Sequence, residues 1–438
     1  MRVLVVGGGG REHALCWALR RDLSADNLFC APGNSGTANL AINLPIGAHD
    51  DDHLIDAIRH EVIDLTVIGP EAPLARGLAD KLRAAGLLAF GPSAAAARIE
   101  SSKAFAKEVM ESAGIPTAPS RTFTALNPAL AFVDRHAEPL VVKASGLAAG
   151  KGAIVCLTRQ EAKRTLTAML RDGMFGEAGK QVVVESFLQG EELSVLAITN
   201  GRELLVLPAA QDHKRLREQD LGPNTGGMGA YSPVSIATPE LIQRVKALVL
   251  EPALAELDRL GTPFVGVLYA GLMVSSDGGF QVIEFNCRLG DPEAQAVLPL
   301  ISGGLLEAFR AAAAGDPLPA LEVRVAAAVT TVLAAAGYPG EPARGAAISI
   351  PEQLPPGTLV FHAATQRDEE GILRTNGGRV LAVTAVAAGF REAQQASRDV
   401  AERISFEGKQ FRRDIGWREE RRLEQGAGVR GQGSGVRE

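Results

Sequence analysis

The run Val282-Ile283-Glu284-Phe285-Asn286-Cys287-Arg288 reads as a buried strand that ends in polar chemistry. Val282, Ile283 and Phe285 supply apolar packing. Glu284 and Asn286 stand two apart, so both project to one face. A carboxylate and an amide converging from one strand face suit a hard cation such as Mg2+, which is usually shared between protein oxygens and nucleotide phosphates. Arg288 follows at the strand end, where a planar fork can hold a carboxylate or a phosphate. The competing reading is a half-buried strand with a solvated polar face.

Working outward, the segments upstream carry further anion-binding chemistry. Leu140 to Ser145 is a strand with one lysine, Lys143, and it leads into Gly146-Leu147-Ala148-Ala149-Gly150-Lys151-Gly152 before the strand Ala153 to Cys156. A hairpin tip rich in glycine can lay backbone N–H groups and a cation over phosphates, or it is simply a mobile hairpin. It is not a Walker loop, because no Ser or Thr follows Lys151 and a strand rather than a helix comes next. Gln181 to Leu188 is another strand, followed by Glu191 and Glu192, whose carboxylates either accept from ribose hydroxyls or cap a turn. Lys103 opens a helix that runs to about Ala113. The helix dipole disfavours a cation there, so Lys103 either meets an anionic ligand or points into water. The long polar connection through Gln211-Asp212-His213-Lys214-Arg215 and residues 222–233 has the length of a functional or disordered loop. His213 reads as a hydrogen-bonding loop residue, and Asp291-Pro292-Glu293 as a helix start with Asp291 at the N-cap and Pro292 at the first helical position.

The N-terminal third alternates strand and helix. Val3 to Val6 is apolar without alternation, as in a parallel sheet covered on both faces, and runs into Gly7-Gly8-Gly9-Gly10-Arg11-Glu12-His13. Such a turn favours an anion at the helix N-terminus. A dinucleotide, a phosphorylated substrate and a purely structural tight turn are all compatible with it. The acid expected at the end of the second strand of a dinucleotide fold is absent after Asn27 to Cys30. Glu71 lies at the carboxyl end of a later strand, either at a ligand or as a first-turn helix acid. Strands at Ala326 to Ala334, Val360 to Ala364 and Arg379 to Val386, with a helix from Phe390 to about Ile404, make the last third an α+β unit. After Trp417 the chain turns charged and then Gly-rich, and is expected to be disordered.

Composition bounds these readings. A chain of 438 residues, 46% apolar and 22% charged, is ordinary for a globular protein, and its length allows two to four domains at roughly 100–200 residues each. A net charge of −6 argues against a general nucleic-acid binder. Cys16, Cys30, Cys156 and Cys287 stand far apart, which disfavours a zinc ribbon and fits a reducing compartment. The N-terminus lacks the pattern of a signal peptide, and no apolar run is long enough to span a bilayer.

Ten runs taken together carry a family resemblance over roughly residues 1–418: GGGGREHA, APGNSGT, IDLTVIGPEAPL, SKAFAK, GLAAGKG, QDHKR, GPNTGGMGAYSP, VIEFNCRLGDPE, TNGGRVLAVTA and RRDIGW. The chain resembles the phosphoribosylamine–glycine ligase (glycinamide ribonucleotide synthetase) family, ATP-grasp enzymes of purine synthesis. The resemblance implies an α/β fold with α+β parts. A doubly wound parallel-sheet domain at 1–102 would bind substrate. A two-lobed ATP-grasp region would span 103–320, with a small lid lobe at about 117–190. An α+β domain would follow at 321–420, then a disordered tail at 421–438.

The resemblance also implies a cytoplasmic monomer that ligates glycine to 5-phosphoribosylamine, with ATP and Mg2+ (or Mn2+), and that binds neither nucleic acid nor membrane. It implies Lys103 and Lys143 on ATP phosphates, with Gly146, Gly150, Lys151 and Gly152 in a flap over them. Glu185 and the backbone of Phe187 and Leu188 would take adenine, Glu192 the ribose, and Glu284 with Asn286 the metal. Gly8, Gly9, Gly10, Arg11, Glu12 and His13, with Glu71, Asp212 and Asn224, would face glycine and the phosphoribosyl group. Arg288 and Asp291 would do so too and, with Lys143, are the catalytic candidates. Two departures stand out: Ser145 occupies a position where the family usually has Asp, and the second metal carboxylate common in the wider superfamily has no counterpart between Tyr269 and Met273. The rival readings are an ATP-grasp enzyme using bicarbonate or formate, an NAD-dependent oxidoreductase, and a nucleotide-binding protein without turnover.

Overall fold

A computed structural model describes residues 1–148 and 150–431. The apolar run at the N-terminus forms the strand Val3–Gly7, buried along its whole length. It is the centre of a five-stranded parallel sheet ordered Ile42–Asn43, Leu28–Pro32, Val3–Gly7, Leu65–Ile68, Ala89–Phe90. The chain first builds to one side of the central strand and then to the other. The order therefore reverses between Val3–Gly7 and Leu65–Ile68, where an open α/β sheet leaves a crevice beyond its carboxyl ends. The helices Gly10–Leu19 and Glu71–Arg76 begin there and bring Arg11 and Glu71 to that crevice.

A four-stranded antiparallel sheet follows, ordered Ser120–Phe123, Val182–Ser186, Leu140–Ala144, Ala153–Cys156, with the helices Leu126–Val133 and Arg159–Leu170 against it. Its interior, built from residues such as Leu140, Val142, Leu166 and Val184, is an apolar cluster of its own. The stretch that opens the sequence analysis is the strand Phe280–Asn286. It lies at the edge of a third sheet ordered Leu204–Val206, Glu191–Thr199, Gly266–Val274, Phe280–Asn286. In its register Glu284 lies opposite Gly271 and Asn286 opposite Tyr269. A Cβ on residue 271 would make ordinary van der Waals contact with Glu284 Cγ, at 3.4 Å.

The fourth sheet joins segments far apart in sequence. Its order is Gln211–Asp212, Gly229–Ser232, Ala327–Ala334, Arg379–Ala387, Thr358–His362, with the helix Phe390–Arg403 packed on it. Two strands of the polar connection thus belong to the same sheet as the C-terminal third. Between them, Arg215–Arg217 and Leu221–Asn224 pair as a hairpin, so the long loop is structured. The mixed α/β architecture is the expected fold class.

Two local expectations are corrected. The tail expected to be disordered from residue 421 is helical as far as Gly431, in a helix that starts at Trp417. Two of its charges are tied to the body of the protein: Glu419 accepts from the Ser235 hydroxyl at 3.0 Å and Arg422 pairs with Glu191. Residues 432–438 lie outside the described residues. Asp291 is not an N-cap either. The short helix Glu293–Val297 is preceded by Pro292, and the Asp291 carboxylate turns to Arg379 at 3.2 Å and to the Gln295 amide at 2.7 Å.

Candidate active site

The sheets meet around a cavity of about 510 Å3. The parallel sheet contributes Arg11 and Glu71, the second sheet Lys143 and Glu185, the third Glu192, Glu284 and Asn286, and the fourth Asp212 and Arg379. Lys103 reaches the same space from the first turn of the helix Lys103–Ser112. Burial lowers its pKa, and the neighbouring Glu284 carboxylate opposes that shift. Lys103 therefore points into the cavity and not into bulk water. The helix N-terminus is held by Ser145, whose carbonyl accepts from Lys103 N at 2.8 Å and whose hydroxyl accepts from Ala104 N at 3.1 Å.

Lys143 is 4% exposed. Its Nζ pairs with Glu185 and donates to the Ile283 carbonyl at 3.0 Å, tying the second sheet to the Glu284 strand. Lys107 approaches the other Glu185 oxygen at 2.7 Å. The Glu185 carboxylate, implied above as an adenine contact, is thus engaged by two ammonium groups. Burial works against ionisation of Glu284, but Lys214, Lys103 and Lys143 together hold its pKa below the usual carboxylate range. Lys103, Lys143 and Lys214 thus converge on this carboxylate, while Lys143 and Lys214 also pair with Glu185, Glu192 and Asp212.

A second charged group lies across the cavity. The Arg288 guanidinium bridges Glu100 at 2.9 Å and Glu71 at 3.2 Å. Burial opposes its ionisation, yet the Arg288 and Arg11 charges bring the pKa of Glu71 down to about 2. Lys214 pairs with Glu192 and, at 3.1 Å, with Asp212. Burial, ahead of the Glu293 and Glu192 charges, pushes the Asp212 carboxyl up to about 7, against the pull of Lys214. Glu293 accepts from the Tyr269 hydroxyl at 2.7 Å. Arg379 donates to the Asp291 and Gly226 carbonyls at 2.7 and 2.6 Å.

Of the residues named from sequence, Lys103, Lys143, Gly150, Gly152, Glu185, Phe187, Leu188 and Glu192 line this cavity. So do Arg11, Glu71, Asp212, Asn224, Glu284, Asn286, Arg288 and Asp291. Gly8, Gly9, Gly10, Glu12, His13, Gly146 and Lys151 are not on its wall. Glu12 accepts from Gly9 N at 2.7 Å and from Arg11 Nε at 2.6 Å, so its carboxylate holds the turn together from within. His13 Nδ1 accepts from His362 N at 2.7 Å, and its pKa is lowered to about 3, chiefly by burial. The glycines serve close packing: a Cβ on Gly8 would lie 2.6 Å from the Gly33 carbonyl oxygen, and one on Gly10 2.6 Å from Gln295 Nε2. Gly146 packs against Ala178, and Lys151 is exposed. Sequence reasoning passed over Glu100, Lys107, Lys214, Tyr269, Glu293 and Arg379, which also line the cavity. Lys214 and Arg379 lay inside runs already singled out, QDHKR and TNGGRVLAVTA.

A separate antiparallel lobe facing a second antiparallel sheet across a cavity of lysines and carboxylates is the architecture of an ATP-grasp ligase. Family models describe the segments as phosphoribosylglycinamide synthetase N domain (residues 1–100), ATP-grasp (A) domain (101–294) and C domain (328–418). The chain belongs to the phosphoribosylglycinamide synthetase family. It is 46% identical over 423 residues to the phosphoribosylamine–glycine ligase of Vibrio cholerae, covering 95% of this chain and 98% of that one. The crystal structure of phosphoribosylamine–glycine ligase from Thermotoga maritima aligns with a TM-score of 0.84 at 35% identity, over 95% of this chain and all of that one. The biotin carboxylase domain of 2-oxoglutarate carboxylase from Hydrogenobacter thermophilus, solved with MgADP and bicarbonate, shares the fold at a TM-score of 0.70 and 17% identity, over 94% of this chain and 91% of that one. No helix among the described residues is long and apolar enough to cross a membrane.

Proposed function

We propose that this ATP-dependent ligase joins glycine to 5-phosphoribosylamine through a glycyl phosphate intermediate, giving glycinamide ribonucleotide, ADP and phosphate in de novo purine synthesis. One observation carries the reading: a single cavity collects side chains from all three matched segments, Arg11 and Glu71 from the first, Lys143 and Glu284 from the second, Arg379 from the third. A nucleotide, an amino acid and a sugar phosphate need walls of different chemistry, and this cavity has them.

The reaction transfers the γ-phosphoryl group of ATP to the glycine carboxylate, and the amine of phosphoribosylamine then displaces phosphate. Neither step needs a side-chain nucleophile, so catalysis rests on positioning and on neutralising charge. Lys103 and Lys143 face the phosphates, the backbone of Phe187 and Leu188 takes the adenine edge, and Glu192 the ribose. Glu185 anchors Lys143 and Lys107. Arg288 and Asp291, each held by ion pairs, face the glycine and phosphoribosyl groups together with Arg11, Glu71, Asp212 and Asn224.

Glu284 and Asn286 fit Mg2+ or Mn2+. They stand side by side on one strand face with Gly271 opposite Glu284, and among the described residues no three His, Cys, Asp or Glu side chains cluster into an all-protein metal site. A donor set of one carboxylate and one amide suits a hard cation that completes its shell with phosphate oxygens and water. When bound, the cation would offset negative charge on the phosphates. The four cysteines are free and buried, in keeping with the reducing cytoplasm.

ADP release tests the reading, with ATP, Mg2+, glycine and phosphoribosylamine generated in situ, each omitted in turn. ADP is expected only when all are present. ADP formed with bicarbonate or formate in place of glycine would overturn the choice of acid.

A further inference from the structure

The run RRDIGW at 412–417 contributes no side chain to the cavity, yet it contains the largest fully buried side chain among the described residues, Arg412. The partners of this run lie in the hairpin 215–224 and at His213 on one side, and on the helix Phe390–Arg403 on the other, where Glu402 pairs with Arg413 and Gln394 donates to the Ile415 carbonyl. Arg412 Nη1 pairs with Asp220 at 2.8 Å and donates to the Arg215 carbonyl at 3.1 Å. Asp414 accepts from Gln219 N at 2.8 Å and pairs with Arg412 Nε at 2.8 Å. Gly416 N donates to His213 Nε2 at 2.8 Å. Burial lowers the pKa of His213, against the pull of the Asp220 carboxylate. Ile415 is 2% exposed and packs on Gly229, where a Cβ would meet its Cδ1 at 2.5 Å.

The hairpin matters because of its two ends. Asp212 and Lys214 enter it, Asn224 and Thr225 leave it, and all four line the cavity. The ends are clamped to each other, since Thr225 N and Oγ1 both donate to the Lys214 carbonyl at 2.7 and 2.8 Å. Beyond that clamp, the contacts that hold the hairpin's outer part come from residues 412–418.

We propose that residues 412–417 are a positioning strap: by gripping His213 and the hairpin 215–224 from behind, they hold Asp212, Lys214 and Asn224 at their places on the cavity wall. The proposal rests on the reading that Asp212 and Asn224 face the reactants, with Lys214 holding the Asp212 carboxylate. His213 is the point at which the strap meets the strand Gln211–Asp212, so it transmits the grip to both.

Steady-state kinetics and thermal unfolding of the full-length enzyme test this with four variants. His213→Leu removes the acceptor for Gly416 N. His213→Gln keeps an acceptor near the same place. Val400→Ala truncates a fully buried side chain in the C-terminal core and removes no hydrogen bond or ion pair of the strap. Lys214→Ala tests the site itself. A side chain displaced by an ångström at a reacting centre loses about 100-fold in rate. His213→Leu is expected to lower kcat/KM to that extent, and His213→Gln to recover most of it. Val400→Ala is expected to lower the melting temperature with kcat and KM unchanged. If His213→Leu lowers only the melting temperature, as Val400→Ala does, the strap is merely structural and the proposal falls. If Lys214→Ala keeps wild-type kinetics, the site reading falls instead. Should His213→Leu not fold, Asp414→Asn weakens the strap from its half-buried side and is judged by the same two criteria.

Discussion

Two ammonium groups share one buried carboxylate at Glu185, and that arrangement separates catalysis from stability. Removing one partner of a buried ion pair is normally costly because the other charge is left unpaired. In Lys143→Ala, Lys107 still pairs with Glu185, so the protein should fold while kcat falls by about 100- to 1000-fold, the usual loss for one preorganised charge-stabilising donor. Glu284→Ala should abolish turnover in a protein that still folds, with a lower melting temperature because Lys103 loses the carboxylate that faces it, and normal activity in that variant would remove the metal assignment. Glu71 predicts a pH effect. Its folded pKa is depressed from 4.5 to about 2, so its ionisation stabilises the fold above pH 4.5, and that contribution is lost as pH falls from 4.5 through about 2. Glu71→Gln should therefore flatten the acid side of a stability-versus-pH curve across that window. Lys143, Glu284 and Asn286 were legible in the sequence because residue type and spacing carry their chemistry. Glu100 was not, because its partner Arg288 is 188 positions away and nothing local marks it.

Ser145 shows how one element positions another. The strand Leu140–Ala144 ends in a serine that caps the helix Lys103–Ser112 through a backbone and a side-chain oxygen. The Ser145 hydroxyl supplies the acceptor for Ala104 N. Ser145→Ala should cost about 1 kcal/mol, the net worth of one hydrogen bond, measurable by denaturant unfolding. It should also raise KM for ATP, because Lys103 leads that helix. Regular elements were readable from apolar runs and their periodicity. The C-terminal helix was not, because charged residues in the sequence look solvated until Ser235 and Glu191 are seen to pair with them.

Across the whole molecule, three sequence segments share one interior. A single apolar cluster holds Leu4 from the parallel sheet, Leu268 from the third sheet, and Val329 and Ile415 from the C-terminal third. The fourth sheet places Gly229–Ser232 beside Ala327–Ala334, so a cut near residue 320 strips a buried strand of its neighbour. A fragment of residues 1–320 should therefore show no cooperative thermal transition. The second sheet has a core of its own, and a fragment of residues 117–190 should keep its antiparallel structure by circular dichroism.

The sequence by itself determined the alternation of elements, the acid–amide spacing of Glu284 and Asn286 on one strand and, through ten shared runs, the family. These follow from residue type and short-range spacing, which physical chemistry reads directly. Only the tertiary structure decided that Glu12 and His13 turn inward, that Glu185 is held by two lysines, that Arg379 crosses from the last third into the cavity, and that residues 412–417 grip the hairpin behind Lys214. Each of these depends on a partner remote along the chain. Burial makes such pairings strong, and no local pattern records them.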